Sequence, residues 1–266
     1  MLSEAAESKS LVASLIKGLR VLEVFTAENP ELTISQVAVA TGLDAGTAFR
    51  MLNTLMAAGY LSRREKMFRL TLKVADLGFH AIARSDLRDI ARPILRELVG
   101  ETLEAASLGV IDGGDVIYVE RVRAGISRLG VDIRIGTTVP AASSAIGQAM
   151  LAFMSDQDVE RVFNAPSRPG AASDVTISRS ELSVRLQAAR RDGYVLRESI
   201  FTLGLRVLAV PVCDSDGHPL AAISLVAPAS RASDEDFRSR LIGPAAAAAA
   251  DIGRAIQMSG SVRIAL

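Results

Sequence analysis

A chain of 266 residues is long enough for two modest domains. It is 49% hydrophobic and 23% charged, with no Trp and only 4% aromatics, which describes a globular chain with an aliphatic core and excludes a disordered one. Thirty basic and thirty acidic residues cancel, so any DNA-binding surface has to come from local charge separation.

Residues 1–10 are small and polar and are expected to be a disordered end. Leu11, Leu15, Leu19, Leu22 and Phe25 then recur every three or four positions, a helical period that Asn29-Pro30 closes. Thr33 suits a helix cap, and Gln36 three residues later completes a capping box. Ile34, Val37 and Ala38 give that short helix a buried face, and Gly42 supplies the positive φ that ends it. Asp44 caps a further helix, with Phe49, Leu52, Leu55 and Met56 as its apolar stripe and Gly59 as its end. Two short helices joined by a Gly-containing turn, with a third helix before them, make a helix-turn-helix. Strands at 60–64 and 67–70 around Glu65-Lys66 add a wing. Between residues 11 and 73, eight basic residues face five acidic ones, a net of +3, and Arg63, Arg64, Lys66 and Arg69 lie in the wing.

Residues 72–84 read as a linker helix, and Pro93 suits the first turn of another helix running to about Leu103. Strands at 106–110 and 116–121 flank the turn Asp112-Gly113-Gly114. Leu129, Val131, Ile133 and Ile135 alternate with polar or small residues, a strand with one buried face. Ser143 and Ser144 open a helix at 145–154, and another at 182–192 closes on Gly193. Strands at 205–213 and 220–226 are joined by Asp214-Ser215-Asp216-Gly217, and a terminal helix covers 236–258. The expected class is α+β: a winged helix-turn-helix domain at 11–72, a linker helix at 73–90, a second domain at 91–258 with an antiparallel sheet flanked by helices, and a tail at 259–266.

The first domain contains Leu15-Ile16-Lys17-Gly18-Leu19-Arg20-Val21-Leu22-Glu23, Thr41-Gly42-Leu43, Arg50-Met51-Leu52-Asn53-Thr54-Leu55 and Gly59-Tyr60-Leu61. The second contains Ala91-Arg92-Pro93, Val116-Ile117-Tyr118-Val119-Glu120-Arg121, Gly147-Gln148-Ala149-Met150-Leu151-Ala152 and Gly204-Leu205-Arg206 leading to Ala209-Val210-Pro211-Val212. In order and spacing these resemble the IclR family of bacterial regulators over nearly the full length. The resemblance implies a GAF-like effector-binding domain, a homodimer or homotetramer, and a double-stranded, pseudo-palindromic DNA operator whose binding is modulated by a small organic acid. The stretch from Gly204 to Pro211 is similar to members governing aromatic-acid catabolism.

Base contacts are expected from the exposed N-terminal side of the second motif helix. Ala45, Gly46 and Thr47 are small enough for close approach, and Arg50, one turn on, reaches a phosphate or a guanine. Thr33, Ser35 and Gln36 open the preceding helix and offer amides to a phosphate, although Thr33 serves equally as a cap alone. Arg63, Arg64 and Lys66 offer charge to the backbone, or form a solvated edge. In the second domain, the helix that starts after Ser144 has free amides that suit a carboxylate, and a Ser-rich cap without a ligand is the plainer reading. The resemblance implies that the effector's acid group sits on the amides of Ala145 and Ile146. Relatives often carry acidic residues where this chain reads Arg197-Glu198-Ser199, so Arg197 offers a clamp for an anion or is an ordinary surface arginine. Val131, Val139 and Val207 are expected to line the apolar side, and Ser224 to add one hydrogen bond.

Catalysis, a cofactor and a metal are not expected. His80 and His218 lie apart, the single Cys213 precludes an intramolecular disulfide or a Cys-rich zinc site, and no phosphate-binding loop is present. The start Leu2-Ser3-Glu4 is unlike a signal peptide, and the alanine run 245–250 is too short to span a bilayer, so a cytoplasmic protein without membrane contact is expected. A second reading is a small-molecule sensing or scaffold module whose helix-turn-helix serves protein contacts.

Overall fold

The computed structural model describes residues 11–26, 28–77, 87–99, 105–124, 133–168, 176–230 and 233–259. They fall into two compact units, Met1–Ala81 and Ile82–Leu266, divided within the expected linker.

In the first unit, α1 (Ala13–Glu23), α2 (Ile34–Thr41) and α3 (Ala45–Ala57) precede the hairpin of β2 (Leu61–Arg64) and β3 (Met67–Leu70). Local chemistry sets the helix ends. Thr33 caps α2 through the full capping box with Gln36, and Gly42, at φ 67°, closes it. Asp44 caps α3 by accepting the Thr47 amide at 2.9 Å. A two-residue strand, β1 (Glu31–Leu32), pairs with β3 and turns the expected two-stranded wing into a three-stranded sheet in the order β1-β3-β2. Val21, Phe25, Leu32, Val37, Ala48, Leu52, Leu61 and Phe68 form its core. Two expectations need correction. Phe49 belongs to no core here: it is 43% exposed, because the buried side of α3 runs through Ala48 and Leu52. The α1 stripe is also open in the single chain, with Leu11, Leu15 and Leu19 at least half exposed.

Helix 73–77 follows the wing within the first unit; of the linker helix expected at 73–90, residues 78–86 lie outside the described residues and 87–90 open the next helix. In the second unit, α4 (Leu87–Leu98) holds Pro93 in its middle rather than in its first turn, since the helix begins earlier than expected. Strands β4 (Ala105–Asp112), β5 (Asp115–Arg123), β6 (Thr138–Pro140), β7 (Val195–Glu198), β8 (Leu205–Cys213) and β9 (Pro219–Pro228) form one antiparallel sheet in the order β6-β5-β4-β9-β8-β7. The strand expected around 129–135 is not seen where it is described. Ile133 precedes a turn in which Gly136 takes φ 90°, Thr137 donates its amide to the Arg134 carbonyl at 3.0 Å, and pairing resumes only at Thr138. Leu129 and Val131 lie outside the described residues.

Side-chain alternation gives this sheet two apolar faces. One, with Leu208, Val210, Ile223 and Leu225, packs on α4 and on α8 (Ile242–Met258), which follows a turn at Asp234–Asp236 and a π-helical turn at Phe237–Leu241. The alanine run serves that contact, with Ala245, Ala248 and Ala249 buried in the same core. The other face, with Val116, Ala209 and Ala222, packs under α5 (Ala145–Leu151), α6 (Asp156–Asn164) and α7 (Arg179–Asp192). Helices therefore cover both sides of an antiparallel sheet, the α+β arrangement expected.

A buried ion pair ties α4 to β5. Arg88 donates from Nε to Glu120 Oε2 at 2.8 Å, and Oε1 accepts the Arg121 amide at 2.8 Å. Glu120 has a 2% exposed side chain, whereas Arg88 is about one-third exposed at 32%. Removing the arginine strands a buried carboxylate. Arg88→Ala should therefore cost about 2–3 kcal/mol in urea unfolding, below the cost of breaking a fully buried pair because Arg88 keeps some solvent. Arg88→Met with Glu120→Leu should recover most of that loss.

Candidate DNA-reading face and effector pocket

The outer side of α3 begins at Ala45 and Gly46, both exposed, and continues to Arg50. Arg50 is tethered, donating from Nη2 to Thr47 Oγ1 at 3.4 Å. Thr47 itself is only 8% exposed, so its hydroxyl supports Arg50 instead of facing a groove, contrary to the direct contact expected of it. The Thr47 hydroxyl and amide together hold the Asp44 carboxyl below the usual carboxylate range. At the start of α2, the Thr33 and Gln36 side chains are occupied by their cap, and Ser35 is exposed beside them. In the wing, Arg63, Arg64 and Lys66 are all exposed. Arg63 donates to the Glu65 carbonyl at 2.7 Å and lies over the Phe68 ring, while Arg69 is engaged by Glu31 and Ser62. Arg64 and Lys66 thus remain the freer charges of the hairpin.

The second unit holds a cleft whose open space, solvent at its mouth included, is about 740 Å³. Its floor follows from strand register. Arg197 on β7 pairs with Val207, Val207 with Val226, Val226 with Ala105, and Ala105 with Arg123 on β5. Directly opposed residues of antiparallel strands share a face, so this row crosses one side of the sheet with an apolar middle and an arginine at each end.

A β-bulge brings in two more groups. Leu108 pairs with Glu120 but Gly109 pairs with Tyr118, which leaves Val119 as an extra residue on β5. The extra residue reverses side-chain parity, so Tyr118 and Arg121 both line the cleft although strict alternation would separate them. Burial pushes Tyr118 up to about 12, against the opposing influence of Arg121 and a hydrogen bond with Ser224, so its hydroxyl stays protonated at neutral pH.

Of the residues expected at this site, Ser144, Ala145, Ile146, Arg197 and Val207 line the cleft. Ser144 caps α5 by accepting the Gly147 amide at 3.1 Å. Val139 is corrected: it is 3% exposed in the core beneath, paired with Val116 on β5. Ser224 is corrected too, because it is 1% exposed and bonded to Tyr118, which is the group that reaches the cleft. Val131 lies outside the described residues. Tyr118, Arg121, Arg123 and Val226 also line the cleft, outside the expected set.

Arg197 is the most unusual group in the cleft. Its Nη2 donates to the Ser143 carbonyl, while Nη1 is buried with no hydrogen-bond partner among the described residues, as is Ser143 Oγ. Burial draws the guanidinium down to about 10, Arg185 pushes it the same way and Glu181 opposes them, so it is charged at neutral pH. A buried cation with an unmet donor costs about 1–3 kcal/mol in lost solvation, and an anion placed against it would offset that.

Elsewhere, Asp214, Asp216 and His218 come together on the β8–β9 turn. The Asp214 carboxylate is already used there, accepting the amides of Asp216 at 3.0 Å and His218 at 2.8 Å. Burial, with Asp214 beside it, raises the Cys213 thiol to about 11. Among the described residues, no helix is long and apolar enough to cross a membrane.

Two family patterns match the chain: the IclR helix-turn-helix domain over residues 14–65, and the C-terminal domain of the bacterial transcriptional regulator IclR over residues 79–254. The HTH-type transcriptional regulator XynR of Escherichia coli K12 is 27% identical over 236 residues, which is 87% of this chain and 93% of that protein. A transcriptional regulator from Rhodococcus sp. RHA1 has a crystal structure that superposes with a TM-score of 0.76 at 33% identity, covering 94% of this chain and 100% of that one. An IclR homologue from Microbacterium hydrocarbonoxydans, crystallised with 4-hydroxybenzoate, superposes with a TM-score of 0.74 at 24% identity, covering 92% and 100%. On the fold, the two matched domains and these relatives, the chain belongs to the IclR family of bacterial transcriptional regulators.

Proposed function

We propose that this regulator binds a pseudo-palindromic operator through α3 and the wing, and that a small organic acid held in the cleft of the second domain modulates that binding. Arg50, Ala45 and Gly46 face the major groove, with Thr47 holding Arg50 in place. The amides that open α2 beside Ser35, and the charges of Arg63, Arg64 and Lys66, meet phosphates. The protein acts in the cytoplasm as a homodimer or homotetramer. The open apolar stripe of α1 supports this assembly, as do the exposed Leu72 (87%) and Leu77 (57%). A monomer by light scattering at micromolar concentration would contradict it.

The observation that carries the acid is the unpartnered Nη1 of buried Arg197. The carboxylate sits between it and the first turn of α5, where Ser144, Ala145 and Ile146 line the cleft. The apolar part lies over Val207 and Val226, and Tyr118 offers a hydroxyl to a polar substituent. An aromatic monocarboxylate fits this layout, in keeping with the 4-hydroxybenzoate held by the Microbacterium homologue. A thermal-shift screen of small aliphatic and aromatic acids tests the proposal, since a ligand that binds only the folded state raises the unfolding temperature. A positive shift with an acid, absent with its amide, is expected; equal shifts with both would remove Arg197 from the account.

A further inference from the structure

We infer that Phe49 reads the methyl group of a thymine in the operator. This rests on the assignment of α3 to the major groove and adds a base to it. Phe49 is spaced like a core residue, yet it is 43% exposed while its neighbours Ala48 and Leu52 are fully buried. It belongs instead to the stripe Gly46, Phe49, Arg50 and Asn53, whose spacing of three, four and seven residues puts all four on one side of a helix.

That stripe is where base edges would lie. Gly46 has no side chain to hold the helix away, and Arg50, the next residue along the helix, is tethered to Thr47. A phenyl ring has neither donor nor acceptor, so it reads no hydrogen-bonding pattern. The apolar mark that base edges present in the major groove is the thymine 5-methyl, absent from cytosine and from uracil. Isolated apolar side chains on a protein surface are ordinary; the position of this one, between the small residues that open α3 and a tethered arginine, is what assigns it to DNA. Arg50 and Phe49 then read neighbouring base pairs, one by charge and hydrogen bonds and the other by a methyl contact.

Deoxyuridine substitution tests this, because it removes only the methyl and keeps the base pair. The full-length protein first selects its site from a random duplex pool, and each thymine of that site is then replaced singly by deoxyuridine. At one thymine per half-site, wild-type affinity should fall about fourfold, the value of one buried methyl. Phe49→Ala should bind thymine and deoxyuridine duplexes alike, and Phe49→Leu should keep part of the difference. Thermal unfolding of both variants should match the wild type, since the ring is not in the core. No thymine at which the wild type senses the methyl, or a penalty that persists in Phe49→Ala, overturns the inference. A changed oligomeric state in Phe49→Ala with the penalty intact also overturns it, and gives the ring to a protein contact. If the wild type selects no sequence at all, the DNA assignment of α3 has itself failed, and that outcome is distinguishable from the others.

Discussion

Arg197→Ala is expected to weaken acid binding about a hundredfold and yet leave the unliganded protein at least as stable as the wild type. The two effects have one cause. In the free protein the guanidinium is buried, makes one hydrogen bond to the Ser143 carbonyl and leaves Nη1 unpartnered, and its descent to about 10 records how poorly the site solvates a charge. Deleting it relieves that cost, so urea unfolding should show no loss and a gain of up to about 1 kcal/mol. With the acid bound, the same group meets a carboxylate in a water-poor cleft, where a charge-assisted hydrogen bond contributes about 1.5–3 kcal/mol. Titration calorimetry measures the first effect and denaturant unfolding the second. Arg197→Lys keeps a charge but not the planar fork, and should recover only part of the affinity. An arginine that merely decorated the surface would alter neither quantity.

Gly147→Ala should cost about 3 kcal/mol or more, although alanine favours helices. A Cβ built on Gly147 would stand 2.1 Å from the Ala141 carbonyl oxygen and 2.5 Å from the Ala141 Cα, both backbone atoms that have no freedom to swing aside. Residue 141 is fixed in turn, since its amide donates to the Gly114 carbonyl at 2.9 Å across the β4–β5 turn. Relief therefore requires α5 to move off the sheet, where it packs within the buried core, and overpacking of this kind exceeds the few tenths gained in propensity. The shift would also carry Ser144, Ala145 and Ile146 away from Arg197. Unfolding in urea should show the stability loss, and calorimetry a weaker acid. A variant as stable as the wild type would mean that α5 is seated more loosely than its contacts indicate.

The parts of this fold that were legible in the sequence are those decided locally. Thr33 with Gln36, Asp44, Gly42 and Gly193 announced helix ends through side chains and backbone angles that act within a few residues, and all four behave as expected. Features decided across the chain were not legible. Helix α6 has only Val159 and Val162 buried in nine residues, too few to show a period. The bulge at Val119 exists only relative to β4, so nothing in Val116–Arg121 reveals that Tyr118 and Arg121 share a side. Phe49 was misplaced for a related reason: spacing alone does not tell a core aromatic from one on the edge of the exposed stripe. Arg197 was singled out because it departs from the acidic residues of relatives, and it lines the cleft. Ser224 lies in the expected region, but Tyr118 stands between it and the cleft.

If one molecule joins DNA binding to an acid in the cleft, a single titration shows it. A labelled duplex carrying the selected operator, held at partial saturation with the full-length protein, is titrated with the acid that gives the largest thermal shift, and anisotropy reports the bound fraction. Operator occupancy should change saturably at the acid concentration that fills the cleft, and should stay unchanged in Arg197→Ala, which still binds the operator. Operator occupancy that stays constant in the wild type while the acid demonstrably fills the cleft would contradict it.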